Sequence, residues 1–438
     1  MLLPCSSGVW DPFEPVAVSN MRINMSELDQ VRTSLEETAT SPVPLSCRVY
    51  ETFDGLDHLR GAWDEVVVRT SGSIYMTYDW VRLWWRFYGE SAELKLFVFA
   101  DGERLVGIVP IYIDTLGWGP LRLRVARLVG ANIPPKVFNP PVPRTRAEEV
   151  LVEVVRQTIG SGCDLLSFGP VCESEEWATH FHAVCTDGSR RLVQGKNARG
   201  VHSVFELPRN MEEYYGALSA NERQKLRYQL RRLKKEYDTN VEIISDPALV
   251  VREFDRFAEQ HKRQWVAQGQ SGHFGGWPRA LEFNRSLVEA QGKLGRVRLM
   301  RILANGEVIS SHYSFAFGDR YFCELPARAV DSKWDRLGIG HTGLVLKLTE
   351  AIAEGMHSVE AGLAHCDYKV RLGAKEYSVV TFRVVAAGIL ARARFALFSL
   401  LRACVCVVYH KVWFRRVMPK LPPFFTRPQW RWWLRLDF

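Results

Sequence analysis

The residue types best suited to chemistry are concentrated in one short stretch, residues 360–373, with the sequence EAGLAHCDYKVRLG. A lysine ammonium such as that of Lys369 can bind a phosphate, a carboxylate or a polarised thioester oxygen. The hydroxyl of Tyr368 can donate a proton to a departing thiolate, and His365 and Asp367 can bind polar groups of a substrate. The competing interpretations are that Lys369 only caps a strand, that Tyr368 is a packed core residue and that His365 is an exposed loop residue.

Two further candidates lie upstream in strand-like stretches. His312 falls within residues 307–317, and Glu324 lies near the end of residues 320–325. An imidazole or a carboxylate near the reacting centre can accept the proton of an amine. The competing interpretations are a histidine satisfied within the core and a glutamate in a surface salt bridge.

The basic charge of the chain is concentrated at one end. The 438 residues carry a formal net charge of +8, whereas residues 389–438 alone contain ten Arg or Lys and one acid, or +9. The rest of the chain carries the difference, −1, which argues against a general nucleic-acid-binding surface. The nine cysteines form no C-x-x-C pair, and no Cys/His spacing is typical of zinc. We therefore predict no metal site and a reducing, cytosolic setting.

The elements that must position these residues follow a pattern that occurs twice, about 200 residues apart. Each copy has a helix-like stretch, a strand, an Asp-Gly or Asn-Gly turn and a returning strand. Both dipeptides favour hairpins, because a type I′ turn needs positive φ at both central residues. The copies comprise residues 78–88, 93–100 and 104–113, and residues 279–291, 296–304 and 307–317. The similarity indicates duplication.

The second copy continues with a third strand and a helix that opens on glycine. After the strand at residues 320–325 and a loop at 326–337, Gly338-Ile339-Gly340 leads into a helical stretch at 341–354. Strands at residues 358–361 and 379–385 complete the region. Strands, then a helix, then strands predict a mixed α+β layer.

This order resembles the core of the GNAT acyltransferase superfamily. There, the helix after a Gly-x-Gly loop binds the pyrophosphate of acyl-CoA, because free N–H groups and the helix dipole favour phosphate. The resemblance implies acyl-CoA, in its simplest form acetyl-CoA, as co-substrate, and no metal. It implies that Arg336, Gly338, Ile339 and Gly340 bind this co-substrate. Asp335 stands where the superfamily usually has Gln or Arg, and a plain helix-entry turn is the alternative.

Residues 360–373 are similar to the signature of CelD/FemAB-like acyltransferases, which has a strand acid, a short loop and Tyr-Lys-x-x-x-Gly. Glu360 takes the place of the strand acid, and Tyr368, Lys369 and Gly373 match the rest, whereas a Gly-Asp pair of the family is replaced by Ala-His. The basic stretch at residues 218–237 resembles the helix that opens the family's catalytic domain.

A transfer of this kind needs a bound thioester, a polarised carbonyl and a deprotonated amine. The resemblance places the polarising backbone N–H on the central strand, near residues 310–313. The candidate catalytic residues are Lys369, Tyr368, His312 and Glu324. The candidate substrate-binding residues are Arg227 and Arg231 on the basic helix, with His365 and Asp367 on the loop. A solvated charged face is the competing interpretation of the basic helix.

The resemblance implies an α+β fold of tandem GNAT-like (acyl-CoA N-acyltransferase) domains, each a mixed, mostly antiparallel sheet flanked by helices. A glycine-containing connector near residues 194–201 is expected to separate the two domains. The predicted organisation is a disordered segment at 1–45, an N-terminal GNAT-like domain at 46–195, a C-terminal catalytic domain at 196–388 and a basic aromatic amphipathic tail at 389–438.

The implied activity is an N-acyltransferase that moves an acyl group from acyl-CoA to an amine of a small molecule or glycan. An amino sugar in exopolysaccharide or cell-envelope biosynthesis would be such an acceptor. Two alternatives stay open: a FemAB-like transferase that uses aminoacyl-tRNA, and a catalytically degenerate, membrane-tethered scaffold. The neutral body argues mildly against a tRNA partner.

The tail predicts peripheral contact with a membrane. Residues 391–438 interleave Arg with Trp and apolar residues, a composition that suits the headgroup region of anionic lipid. We expect a cytoplasmic protein, attached at the inner face of the cytoplasmic membrane through this segment. A helix docked on the body with a disordered end is the alternative.

Overall fold

A computed structural model of the chain describes residues 44–131, 136–184, 190–268, 272–276 and 278–417. The predicted disordered segment, apart from its last two residues, and the end of the tail lie outside these ranges. Twelve strands within them form one sheet. The strands are β1 (Ser46–Tyr50), β2 (Glu93–Asp101), β3 (Arg104–Leu116), β4 (Leu123–Leu128), β5 (Leu165–Cys172), β6 (Arg190–Glu206), β7 (Thr239–Ile244), β8 (Val297–Ala304), β9 (Glu307–Phe317), β10 (Arg320–Arg328), β11 (Ser358–Leu363) and β12 (Lys375–Ala386).

The described α-helices flank this sheet. They are α1 (Arg60–Arg69), α2 (Tyr78–Tyr88), α3 (Ala147–Gly160), α4 (Glu176–Val184), α5 (Met211–Ala217), α6 (Ala220–Glu236), α7 (Pro247–Val266), α8 (Gly272–Gly276), α9 (Ala280–Gly292), α10 (Ser332–Arg336), α11 (Ile339–Ala353), α12 (Asp367–Arg371) and α13 (Ile389–Val405). Wider helical turns continue α13 through Cys406–Val417. Among the described residues, none of the helices is both long and apolar enough to cross a membrane.

The strand order contains the same six-strand pattern twice. The order is β1-β2-β3-β4-β5-β12 in one half and β7-β8-β9-β10-β11-β6 in the other, and β12 pairs with β6 where they meet. In each half only one pair is parallel, β4 with β5 and β10 with β11. The chain order of strand, two long helices, three strands, helix and strand also repeats, from β1 to β5 and from β7 to β11. This repetition supports the predicted duplication, and the predicted mixed, mostly antiparallel fold is confirmed.

The hairpins form where the turn dipeptides indicate. Gly102 between β2 and β3 has φ of 59°, and Asn305 and Gly306 between β8 and β9 have φ of 50° and 80°. Such angles favour Gly and Asn, whose small or locally hydrogen-bonding side chains tolerate the left-handed region. The turns fix the register of each pair, so apolar residues of both strands reach the core together.

The two halves are joined along β6 and β12, which corrects the predicted connector. Residues 194–201 lie within β6, whose backbone pairs with β12. The strand β12, which the predicted boundary assigns to the second region, also pairs with β5 of the first. Glycines in this stretch suggested a linker, but ladder pairing with residues about 180 positions away decides its conformation.

The basic helix α6 begins at a serine cap and buries an apolar stripe. The hydroxyl of Ser219 accepts from the amide of Glu222 at 3.3 Å, and so satisfies one of the free N–H groups at the helix start. Leu226 and Leu233 are buried. Leu233 packs with Trp334 and Ile339, which lie immediately before and at the start of α11. This packing places α6 beside the first turn of α11.

Candidate functional site

The parallel strands β10 and β11 separate after a short stretch of pairing. Residues 320–322 pair with residues 358–360, and β10 then continues along β9 alone. The register of β10 on β9 shifts between Cys323 and Leu325, which marks a β-bulge that leaves Glu324 without a cross-strand partner. A bulge bends a strand and redirects its groups. The sheet therefore has a notch bounded by this bulge and the end of β11.

This position differs from the expected one. We predicted the parted strand near residues 310–313, but these residues of β9 pair with β8 on one side and β10 on the other. That prediction was wrong by one strand. Backbone groups paired on both sides belong to the sheet ladders, whereas the bulge of β10 lies at the opening.

Helix α11 begins beside the notch. Gly338 caps it with φ of 62°, a left-handed conformation that glycine adopts without strain. No hydrogen bond to another described residue engages the amides of Ile339 and Gly340. Gly340 is exposed, and a Cβ atom there would meet no atom within 4 Å. Ile339 is only 1% exposed, so the exposed N–H at the start of this 15-residue helix is that of Gly340. It lies at the positive end of the helix dipole, a position that suits a phosphate.

Helix α6 contributes residues to this helix start that the sequence did not single out. A Cβ atom on Gly338 would overlap Nε2 of Gln229, so the amide side chain of Gln229 lies directly on this glycine. Burial lowers the pKa of His341, and the charge of Lys225 lowers it further. A neutral imidazole and a lysine cation thus lie near the free amides. Gln229 could have been identified as a polar residue between Leu226 and Leu233 on the buried side of α6.

Tyr368 and Lys369 lie at the same end of α11, but they are not equivalent. The ring of Tyr368 stacks on that of His341, with centroids 5.5 Å apart and planes 26° apart. Lys369 is buried, and its Nζ donates to the carbonyl of Ala361 at 2.8 Å, on β11. Lys369 therefore stabilises the end of β11 at the notch, whereas Tyr368 packs against the first turn of α11.

His312 lies beneath α11, on the face of β9 that this helix covers. A Cβ atom on Gly343 would lie 2.7 Å from Nε2 of His312, so the helix rests on the imidazole. Burial, followed by the charge of Lys347, holds the pKa of His312 well below its usual value. Lys347 is itself buried and donates to Sγ of Cys323 at 3.3 Å. His312 is thus a neutral residue of a buried polar seam under the helix.

Glu324 lies on the opposite face of the sheet, toward the first half of the chain. The hydroxyl of Tyr75 donates to its carboxylate at 2.9 Å, and Nζ of Lys136 forms an ion pair with it at 2.5 Å. The side chain of Glu324 is 7% exposed. The competing interpretation for Glu324 was a surface salt bridge, whereas the structure has a buried ion pair that connects the two halves. It lies at the bulge, beside the notch.

The remaining candidates lie at the surface. Arg227 stacks on the ring of Tyr215 and Arg231 donates to a carbonyl of its own helix, so both face away from Gly338. Arg336 is also exposed. His365 bridges Asp367 and Glu376 at 2.9 Å each, and these hydrogen bonds, that of Glu376 first, raise its pKa. The loop thus carries a charged cluster at the edge of the site.

Glu360, the strand acid of the signature, belongs to an ion-pair network rather than to the helix start. Its carboxylate contacts Nε2 of His202 and lies 3.4 Å from Nη1 of Arg320. Arg320 also donates to the carbonyl oxygens of Ser71 and Gly72 in the first half. Burial raises the pKa of Glu360, but the hydrogen bond and charge of His202 and the charge of Arg320 outweigh it and lower the pKa.

The buried histidines predict a loss of stability in mild acid. Burial lowers the pKa of His261 from 6.5 to about 4, against a hydrogen bond to the carbonyl of Pro326. The imidazole therefore binds a proton near pH 6.5 in the unfolded chain but only near pH 4 in the folded chain. The stability of the fold consequently falls as the pH drops from about 6.5 to about 4. We expect His261 to account for about 2 kcal/mol between pH 7 and pH 5, at about 1.4 kcal/mol per pKa unit.

Urea unfolding at pH 7 and at pH 5 measures this loss of stability. The loss is expected to be smaller by about 2 kcal/mol in H261Q than in the unaltered protein. An unchanged pH dependence in H261Q would show that His261 is not held neutral. A ring nitrogen of His273 lies 3.2 Å from one of His261, and burial also lowers the pKa of His273 to about 4. The comparison therefore reports on this histidine pair.

Comparison with known proteins identifies the second half. Residues 220–370 match the model of a family described as "Acetyltransferase (GNAT) domain". This span runs from the start of α6 into α12 and contains the notch, the start of α11 and Glu324. Residues 220–370 are thus similar to GNAT acetyltransferase domains. No protein with a curated description is detectably similar in sequence.

Solved structures support the fold. FemX aligns with a TM-score of 0.56 at 10% identity, over 78% of this chain and 98% of FemX. The C-terminal domain (DUF2156) of a putative lysylphosphatidylglycerol synthetase from Agrobacterium fabrum aligns with a TM-score of 0.45 at 12% identity. This alignment covers 80% of this chain and 96% of that domain. A tandem GNAT protein from the clavulanic acid biosynthesis pathway aligns with a TM-score of 0.36 at 13% identity. This alignment covers 78% of this chain and 99% of that protein. The FemX alignment shows a shared fold; the CelD type stays a prediction.

Proposed function

We propose that the protein is an N-acyltransferase that moves an acyl group from acyl-CoA to an amine. The observation that carries this proposal is the notch between β10 and β11 beside a helix whose amides at Ile339 and Gly340 have no partner among the described residues. A helix start of this kind binds phosphate, and a parted sheet admits an extended chain. The GNAT match over residues 220–370 covers both features.

In this proposal the start of α11 binds the pyrophosphate. The exposed amide of Gly340 donates to a phosphate oxygen, Gly338 allows close approach, and Lys225 supplies a cation. Arg336 is exposed beside this loop and adds charge at its outer edge. The thioester then lies in the notch, where backbone N–H groups of the bulge polarise its carbonyl.

The chemical step is a direct displacement. The amine nitrogen attacks the carbonyl carbon, the C–S bond breaks, and the sulfur leaves as a thiolate. Tyr368, close to the start of α11, protonates this thiolate. Glu324 takes the proton that the amine loses, because it is the carboxylate at the bulge on the face away from α11. Donor and acceptor therefore approach from opposite faces of the sheet.

The family resemblance and the polar groups at the bulge support a class of acceptor. Tyr75 and Glu324, one from each half, form a polar site that can bind a hydroxylated amine by hydrogen bonds. We propose a small-molecule or glycan amine, such as an amino sugar of an exopolysaccharide or cell-envelope precursor. The proposed location is the cytoplasm, at the inner face of the membrane.

A second candidate is aminoacyl transfer from charged tRNA. The FemX-like fold over 98% of that chain favours it, as does the basic helix α6, whose sequence has seven Lys or Arg and two Glu. Exposed Arg227 and Arg231 could bind a phosphate backbone. The neutral net charge of residues 1–388 favours acyl-CoA.

A donor comparison tests the proposal. The protein is incubated with acetyl-CoA or longer acyl-CoAs and a panel of amino sugars, and thiol release is measured with the acylated product by mass spectrometry. We expect amine-dependent thiol release. Transfer from charged tRNA without transfer from any acyl-CoA would contradict the proposal and favour the second candidate. Binding of neither donor would favour the scaffold alternative.

A further inference from the structure

Helix α13 exposes an apolar stripe on its outer face. Its inner face is docked: Ala391 and Phe398 are each 6% exposed, and Phe398 packs with core residues Leu116, Leu123, Val125, Leu165 and Val385. A docked helix normally turns polar residues outward. Here the outward positions follow helical spacing and are apolar or weakly polar: Leu390, Ala393, Leu397, Leu400, Cys404 and Val408, all exposed. We call these six residues the outer stripe.

The turn between β3 and β4 extends this apolar surface. Trp118 is 83% exposed and Leu121 is 54% exposed. The turn contacts α13 directly, because Nε of Arg394 donates to the carbonyl of Pro120 at 3.1 Å. In addition, a Cβ atom on Gly117 would lie 3.0 Å from the ring of Phe398. Trp118 and the outer stripe thus belong to one surface built from segments about 270 residues apart.

The charge of this surface selects its partner. Residues 389–417 contain six Arg or Lys and no Asp or Glu. Among the described side chains, Arg392 and Arg416 are exposed, whereas Arg394 pairs with Asp164. Two copies packed stripe to stripe would bring the exposed cations together, which is unfavourable at a partly desolvated interface. Anionic lipid headgroups would neutralise them while the Leu side chains enter the acyl region. Exposed Trp118 and Trp413 suit the same boundary, since indole has an apolar body and a polar N–H.

We propose that the outer stripe and the turn carrying Trp118 together bind the surface of an anionic lipid bilayer. The proposal goes beyond the acyl transfer, and its test does not require activity. It also explains why apolar side chains as exposed as Leu390, at 68%, and Leu400, at 64%, lie in a row on a docked helix. The helix lies along the membrane plane, because Phe398 holds its other face on the sheet.

Vesicle flotation of the full chain tests this proposal. Vesicles of phosphatidylcholine alone are compared with vesicles that also contain phosphatidylglycerol. We expect binding to the anionic vesicles that weakens at high salt, and a drop of at least about tenfold in L397E/L400E, because two apolar contacts become repelled anions. The matched control is L281E, since Leu281 is 43% exposed and Leu397 is 44% exposed.

A second variant tests the contribution of the turn. W118S is expected to weaken binding to anionic vesicles by about threefold, since one interfacial aromatic side chain is lost. Absence of binding by the unaltered protein, or an equal loss in L281E, would overturn the proposal. Light scattering is measured on the same samples. A dimer that L397E/L400E converts to a monomer would show that a second copy covers the stripe.

Discussion

E324Q is expected to lower the rate of acyl transfer by about 10²–10⁴-fold, the usual contribution of general base catalysis. Gln cannot accept the proton of the amine, although it retains a hydrogen-bonding oxygen for Tyr75. The affinity for CoA is expected to stay unchanged, because Glu324 lies on the face of the sheet away from α11. Steady-state kinetics and CoA titration of the same preparation check both expectations.

The matched control is K136Q, which removes the cation paired with Glu324 but keeps the carboxylate. We expect K136Q to retain transfer within about tenfold of the unaltered rate, since the base is still present. If Glu324 only connects the two halves, both variants should lose stability and transfer rate together. Equal rate losses in E324Q and K136Q would therefore contradict the assignment of Glu324.

E360Q is expected to lower the free energy of unfolding by about 3 kcal/mol at pH 7, more than the other substitutions considered. The substitution leaves the guanidinium of Arg320 with carbonyl partners in the first half but without its carboxylate. Removal of one partner from a largely buried ion pair is costly because the other charge stays desolvated. Urea denaturation of both proteins measures the difference.

The same pair of proteins has a predictable pH dependence. Because the folded pKa of Glu360 lies below its usual value of 4.5, its stabilisation is present above that value and is lost as pH falls through the folded pKa. The difference in unfolding free energy between E360Q and the unaltered protein should therefore become smaller below about pH 4.5. E376Q is the control, since Glu376 pairs with exposed His365 and should contribute at most about 1 kcal/mol. An equal loss of stability in E360Q and E376Q would contradict the stabilising role of the ion-pair network around Glu360.

Local signals of the sequence predict the elements well. The turn at Asn305-Gly306, helix α2 and the glycine at the start of α11 occur where their residue types indicate. These features depend on backbone angles and short-range periodicity, which neighbouring residues determine. The short helix α10 was expected to be loop, because its one turn is stabilised by the cap of Asp331 rather than by an apolar pattern.

The candidate site was only partly predictable, because its contacts join distant segments. Tyr75 and Glu324 are 249 positions apart, and nothing in either segment indicates the other. His312 occurs in the expected strand, whereas Lys369 lies in the short helix α12, which the sequence did not predict. Their side chains pack under α11 and onto β11 instead of facing the notch. Conversely, Arg227 and Arg231 lie off the Leu226 and Leu233 stripe of α6, so their exposure could be read from the helical spacing.

The central claim is that the start of α11 binds the phosphates of an acyl carrier. Isothermal titration with CoA of the unaltered protein, G340D and G340N tests it most directly. A side chain at residue 340 meets no atom, and an acid at a helix start stabilises the helix by about 0.3–1 kcal/mol, so both variants should fold. We predict binding by the unaltered protein, at least about tenfold weaker binding by G340D from charge repulsion, and binding by G340N within about threefold. Equal affinity of G340D and G340N, or no binding of CoA at all, would contradict the account.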